Sequence, residues 1–239
     1  LIGNALNCCV DGELLEAGQL FERAVELDPR YPAALSLLAH TCLFRWQLYF
    51  DSSPKLVDQA VVYAKRAVAL DESDSSGYAA LSLACLNKGW YDAAVEHATR
   101  ALAINPSSQY NLGDMGAILY YVGRAEDAVK YFIRAREVDA YFGPDWYWSD
   151  LGQSYMVLAR YEEALAALQR VSVPTFRVNA FRAACCARLG QHAEASAFMH
   201  QVNKQRPDFS LATFLAKEPY QLERDKLVLR ESMEMAGFR

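Results

Sequence analysis

Six alanines, Ala17, Ala60, Ala94, Ala128, Ala164 and Ala195, recur along the chain at separations of 43, 34, 34, 36 and 31 residues. Seven residues after each comes another small or β-branched side chain: Ala24, Ala67, Ala101, Ala135, Val171 and Val202. Seven residues is close to two helical turns, so the two members of a pair lie on one stripe of one helix. A third small site, filled by Ala5, Ala39, Ser82, Gly116, Gly152 and Ala183, stands twelve residues upstream of the alanine, or twenty-one in the second copy, which carries nine extra residues. That site belongs to a preceding helix, and side chains this small let two helix axes approach closely. Gly12, Gly89, Gly123 and Gly190 sit five residues before their alanines, where glycine can end a helix in the left-handed conformation; Ala159 takes the place in the fifth copy. Asp28-Pro29, Asn105-Pro106, Val173-Pro174 and Arg206-Pro207 mark the exits of the second helices, since proline disfavours helix at the residue before it. Each unit is a helical hairpin that cannot bury its apolar face alone and must stack on its neighbours.

The interval, with Gly116-x-x-Leu119-x-x-x-Gly123-x-Ala125-Glu126-Asp127-Ala128 as its best example, resembles the tetratricopeptide (TPR) repeat over residues 1–209. The resemblance implies an all-α, right-handed solenoid of about six hairpins with C-terminal capping helices. The expected units are residues 1–31, whose first helix is truncated, 32–74 with the nine-residue insertion, 75–108, 109–144, 145–175 and 176–209, followed by a cap over 210–239. Within the cap we expect a helix from about Asp208 to Lys217, a break at Glu218-Pro219, and a charged helix from Glu223 to Met235.

Composition narrows the function classes. Apolar residues at 53% with 22% charged exclude a disordered chain, and the longest uncharged run, Tyr31 to Phe44, falls short of the ~18 residues of a membrane span. A net charge of −5 with scattered Lys and Arg supplies no footprint for nucleic acid. Cys8, Cys42, Cys85 and Cys186 all lie three residues after the small site of their first helices, where Leu119 and Tyr155 stand in other repeats. A position that accepts Leu, Tyr or Cys is an apolar packing site, and only Cys9 and Cys185 depart from it, so the cysteines point to a reducing, cytoplasmic compartment. The chain starts inside what reads as a helix, as expected of a piece of a longer protein.

Catalytic patterns are absent. His192-Ala193-Glu194 matches half of a zinc deaminase signature without the Pro-Cys-x-x-Cys that completes it, and His40, His97 and His200 fall in different repeats. No phosphate-binding glycine loop and no serine elbow occurs, so no cofactor, metal or catalytic residue is assigned to this chain.

In a TPR stack the first helices line the concave face. Counting from each small site then selects an aromatic, nearly neutral groove, with Tyr110, Tyr120, Tyr121, Trp146, Gln153, Met156, Arg177 and Arg188 as partner-binding residues. The Lys and Asn clamp by which some TPR domains grip C-terminal carboxylates is replaced here by Ala79, Leu83 and Ala117. Large rigid rings suit a peptide or helix laid across them. Two departures from the repeat stand out: the insertion around Tyr49-Phe50-Asp51-Ser52-Ser53-Pro54, and two extra residues near Tyr141 to Trp148, after which the fifth repeat is three residues short.

From about Gly89 to Arg239 the chain also resembles the C-terminal TPR region of bacterial class III adenylate or guanylate cyclases and of related winged-helix regulators. The stretches that carry this are Ala135-Arg136-Glu137-Val138-Asp139, Trp146-Tyr147-Trp148, Leu151-Gly152-x-x-Tyr155, Arg206-Pro207-Asp208-Phe209-Ser210, Lys217-Glu218-Pro219-Tyr220 and Met235-Ala236-Gly237-Phe238. The resemblance implies a protein-interaction or regulatory module of a bacterial signalling protein, with a cyclase domain outside this chain. Its partner would be a protein or peptide, its own output domain included. The alternatives are a dimerisation module and the TPR region of a winged-helix regulator. Neither nucleic acid nor membrane is expected as a direct partner.

Overall fold

The computed structural model of the chain describes residues 11–48 and 53–239. Ala5, Cys8, Cys9 and the Tyr49 to Ser52 part of the insertion lie outside the described residues. The elements in chain order are α1 (Asp11–Leu27), α2 (Pro32–Gln47), α3 (Lys55–Leu70), α4 (Ser75–Asn87), α5 (Tyr91–Ile104), α6 (Gln109–Tyr121), α7 (Ala125–Val138), α8 (Asp145–Val157), α9 (Tyr161–Leu168), α10 (Phe176–Arg188), α11 (His192–Gln205), α12 (Leu211–Lys217) and α13 (Glu223–Met235). Each first helix packs on the second helix of its own hairpin and on the first helices of its neighbours: α2 on α4, α4 on α6, α6 on α8 and α8 on α10. The result is the solenoid expected from the repeat interval, all-helical among the described residues.

The recurring small residues form the hairpin contacts. Ala60, Ala94, Ala128 and Ala164 are completely buried, as are Ala39, Ser82 and Ala183 from the facing helices. Where the facing site is glycine, a second-helix side chain fills the vacant Cβ position. A Cβ on Gly116 would stand 2.8 Å from the Phe132 ring, and one on Gly152 would stand 2.6 Å from Leu168 Cγ. Second helices bury one stripe, as Ala94, Ala98 and Ala101 of α5 show at i, i+4 and i+7. First helices are buried on more sides because they are covered by second helices behind and by their neighbours laterally.

Local signals start the helices. Asp74, Ser108, Thr175 and Ser210 each accept a hydrogen bond from a backbone N–H of the first turn, satisfying a donor that the helix leaves unpaired. Gly89, Gly123 and Gly190 adopt φ of +73°, +82° and +72°. Ala159, in the same place, is also left-handed at φ +56°. Stacking therefore imposes the turn even where the residue opposes it. Ala159→Gly is expected to stabilise the protein by about 1 kcal/mol, read as a higher Tm, because a Cβ is disfavoured in that region. Gly12 lies within α1 as far as the described residues show.

The insertion is absorbed partly as helix. α2 and α3 have 16 residues each against 13 and 14 for α4 and α5. In the fifth unit the second helix is only eight residues long. Arg182 from α10 donates to the Leu168 carbonyl at 2.6 Å and to that of Val171 at 3.4 Å, satisfying carbonyls the short helix leaves open. Asp145 holds the following loop by accepting from the backbone N–H groups of Ser172 and Val173 at 2.8 and 2.9 Å.

Residues 210–239 do not extend the stack beyond α11. Instead α13 packs against the first helices α8 and α10, and the tail returns across the inner face. The sequence predicts its two helices and the break at Glu218-Pro219 between them.

Candidate functional site

The inner face encloses a cavity of about 490 Å³. Its walls come from successive first helices: His40 and Phe44 of α2, Ala79, Leu83 and Asn87 of α4, Tyr110, Asp114 and Tyr121 of α6, Trp146, Asp150 and Gln153 of α8, and Arg177 of α10. Of the residues read from the sequence, Tyr110, Tyr121, Trp146, Gln153 and Arg177 are thus brought to one wall. Tyr110 is half exposed and packs on Phe142 and Trp146, with ring centroids 5.1 and 6.3 Å away. Trp146 lies on Gly113, where a Cβ would come within 2.6 Å of its ring. Phe142, one of the residues near the two-residue excess, is buried in this aromatic group against Trp146 and Tyr147.

Tyr120, Met156 and Arg188 do not border the cavity. Tyr120 and Met156 are buried, and Arg188 holds the tail by donating to Ser232 Oγ at 2.9 Å and Glu231 Oε2 at 3.0 Å.

The tail supplies the ligand-like feature of this face. Lys217 Nζ donates to the Trp46 carbonyl at 3.0 Å and sits 4.1 Å from the centroid of the Trp46 ring, at the end of the lengthened α2. Glu218, extended in backbone, forms an ion pair with Arg177 and accepts from Tyr121 Oη at 2.9 Å; its side chain is wholly buried. Gln221 N donates to the Tyr121 carbonyl at 2.9 Å, and the Tyr220 ring stacks edge-on against Tyr121 at 4.9 Å. That backbone bond, together with the Tyr91 hydroxyl donating to the Tyr220 carbonyl at 3.4 Å, fixes the course of residues 217–222 along the groove. Leu222 then fills the space over Gly123, where a Cβ would clash with it. The sequence shows the acid and the aromatic of this segment but not its destination.

Two acids of the wall also escape a reading based on rings. Asp114 and Asp150 each stand two residues before the small site of their first helix, where Leu37, Ala80 and Phe181 stand in other repeats. Charge at a register position otherwise filled by apolar side chains is the signal that could have found them. Asp150 accepts from Tyr120 Oη and from Gln153 Nε2, both at 3.3 Å, whereas the Asp114 carboxylate makes no hydrogen bond or ion pair among the described residues. Burial, with the neighbouring Asp150 adding to it, pushes the Asp114 carboxyl up to about 8; burial pushes that of Asp150 to about 7, against the pull of Arg177. His40 is driven the other way, down to about 4, by burial.

The signs of these shifts predict a pH dependence. Between the ordinary carboxylate range and about pH 7 to 8 the folded chain holds protons that the unfolded chain has lost, so the two acids make stability fall as pH rises. His40 opposes this only between about 4 and 6.5, where the unfolded chain alone is protonated. Urea denaturation is therefore expected to show a loss of about 1–2 kcal/mol from pH 6.5 to 8, flattened by Asp114→Asn.

Comparison with known proteins agrees with the geometry. Residues 75–108 match the family model described as "Tetratricopeptide repeat". No curated protein matches the sequence. Among solved structures, the Cut9-Hcn1 hetero-tetramer of the APC/C contains a similar chain, with a TM-score of 0.67 at 19% identity, covering 88% of this chain and 40% of that one. The chain thus spans two-fifths of that relative's length. TTC0263, a thermophilic TPR protein of Thermus thermophilus, is similar with a TM-score of 0.56 and 25% identity over 74% of this chain and 91% of its own. PilF of Pseudomonas aeruginosa has a TM-score of 0.52 at 15% identity, covering 90% and 93% of the two chains. Residues 75–108 thus carry a tetratricopeptide repeat by sequence, and the described residues have the fold of a tetratricopeptide-repeat solenoid.

Proposed function

We propose that this chain is a protein-interaction module whose inner face holds extended peptide segments, and that its own residues 217–222 occupy part of that face. The observation that supports this reading is the burial of Glu218 between Arg177 and Tyr121, with Tyr220 and the backbone of Gln221 against Tyr121. An acidic side chain followed by an aromatic one, held by a buried arginine, tyrosine rings and backbone hydrogen bonds, is the arrangement by which a groove recognises a peptide. A partner segment of similar chemistry would compete with the tail. The tail has the advantage of being attached, which raises its effective concentration.

The test uses a protease site placed at Asp208–Ser210 and a free peptide of residues 216–222. The cleaved protein is expected to bind the peptide, and the uncleaved protein to bind it at least about tenfold more weakly. A peptide with alanine at the Glu218 position should not bind. Equal affinity of the two peptides, or no binding to the cleaved and still folded protein, would refute the reading.

On the sequence resemblance alone, we place the module in a cytoplasmic bacterial signalling protein bearing a class III adenylate cyclase domain. That resemblance includes Lys217-Glu218-Pro219-Tyr220, the segment lodged in the groove. Displacing the tail would then alter the output domain through contacts that differ between the two states. Cyclase assay of the full-length protein, with and without Glu218→Ala, tests this: a protein that makes no cyclic nucleotide removes the placement.

A further inference from the structure

We infer that the open part of the inner face takes an organic cation, the ammonium or guanidinium group of a basic side chain on a bound peptide partner, between Asp114, Asp150 and the rings of Tyr110 and Trp146. This deepens the interaction-module reading and rests on it.

Titratable groups face the cavity from the helices packed around it. From α2 comes His40, which burial keeps neutral at pH 7. From α6 come Asp114 and the phenols of Tyr110 and Tyr121, and from α8 come Asp145 and Asp150. The cation of the wall, Arg177 from α10, is paired with Glu218 of the tail, and Asp145 is engaged by Ser172 and Val173. Arg177 acts on Asp150 as well as on Glu218, whereas no cation acts on Asp114, which faces the same space.

A second observation comes from the uncharged groups. Gln153 is 2% exposed, and its Oε1 has no donor among the described residues; Asn87 Oδ1 in the same wall has none either. Neither amide is relieved by reversal, because each NH₂ already serves acceptors: Gln153 Nε2 the Ser149 carbonyl and Asp150, Asn87 Nδ2 the Leu83 carbonyl. Every buried side-chain polar atom left unsatisfied on this wall is thus an acceptor. A bound cation would favour the ionised form of both acids and so supply its own counter-charge.

Aromatic walls complete the match, since cations are held over tyrosine and tryptophan faces as well as by carboxylates. At about 490 Å³ the cavity accommodates a long side chain with some of its backbone. A lysine or arginine entering with its stem along Leu83 and its head between the acids would bury both of its parts favourably.

The test compares two blocked pentapeptides, acetyl-Ala-Ala-Lys-Ala-Ala-amide and its norleucine counterpart, with n-butylammonium alone, by titration calorimetry on the whole chain at pH 8 and pH 6. We expect the lysine peptide to bind about tenfold more tightly than the norleucine peptide at pH 8, a preference equivalent to one favourable charge contact. The preference should shrink at pH 6, and Asp114→Asn and Asp150→Asn should each abolish it while leaving the thermal transition cooperative. A norleucine peptide that binds as tightly as the lysine peptide overturns the inference but leaves the peptide groove intact. Butylammonium bound without either peptide overturns the choice of a peptide side chain. Binding of none of the three overturns the inference, and the cleaved-tail experiment then decides separately whether the groove reading survives.

Discussion

Glu218→Ala is expected to lower the unfolding free energy by about 3–5 kcal/mol, because it removes the buried carboxylate that pairs with Arg177. The Arg177 side chain is 9% exposed and that of Glu218 fully buried, so water cannot replace the missing carboxylate without the tail lifting away. Tyr121 Oη loses its acceptor in the same change. Two measurements separate loss of the tail contact from general damage. Urea unfolding reports the total cost, and native-state hydrogen exchange should show the Gln221 amide, which donates to the Tyr121 carbonyl, losing protection before the amides of α4 and α5. Replacing both partners together, Arg177→Met with Glu218→Met, should cost much less than the two single changes added, since no charge is then stranded. If Glu218→Ala costs under about 1 kcal/mol, the value of an exposed pair, the tail is not anchored by this contact.

Phe132→Ala is expected to be of similar size, about 3–5 kcal/mol, for a different reason. Phe132 is fully buried, and its ring occupies the volume that Gly116 leaves open across the hairpin. Truncation leaves a cavity in a close-packed contact, and the Tyr147 ring, 5.3 Å away, loses its edge-to-face partner. Gly116→Ala alone should cost about 1–3 kcal/mol by overpacking, since the new Cβ would stand 2.8 Å from the same ring. In the double variant the added methyl enters space the ring has vacated, so the combined loss should fall short of the sum. Chemical denaturation of the four proteins checks this, and strict additivity would show that Gly116 and Phe132 do not share that volume.

The contacts behind these effects differ in how far the sequence alone shows them. The Gly116 and Phe132 contact follows from the repeat: glycine or alanine recurs where two helices must touch, and a large side chain opposite is the natural complement. The inner position of Tyr110, Tyr121, Trp146, Gln153 and Arg177 follows from the same count, because the hairpin geometry decides which face of a first helix turns inward. Ala159 marks where local preference misleads. Its left-handed backbone is imposed by the packing of α8 on α9, and no propensity of alanine announces it. Asp114 and Asp150 were visible as anomalies of register, but their joint presence in one cavity needed the stacking of α6 on α8.

The amino-acid sequence by itself determined the helical hairpin and its all-α stacking, since both depend on interactions within about one repeat. The tertiary structure alone decided what fills the inner face. Lys217 reaches Trp46 across 171 positions of the chain, and Glu218 meets both Arg177 and Tyr121, because small rotations at every hairpin contact accumulate into a curve that brings distant repeats within reach of one extended segment. That curvature is a sum over the whole stack, and no single interval along the chain contains it.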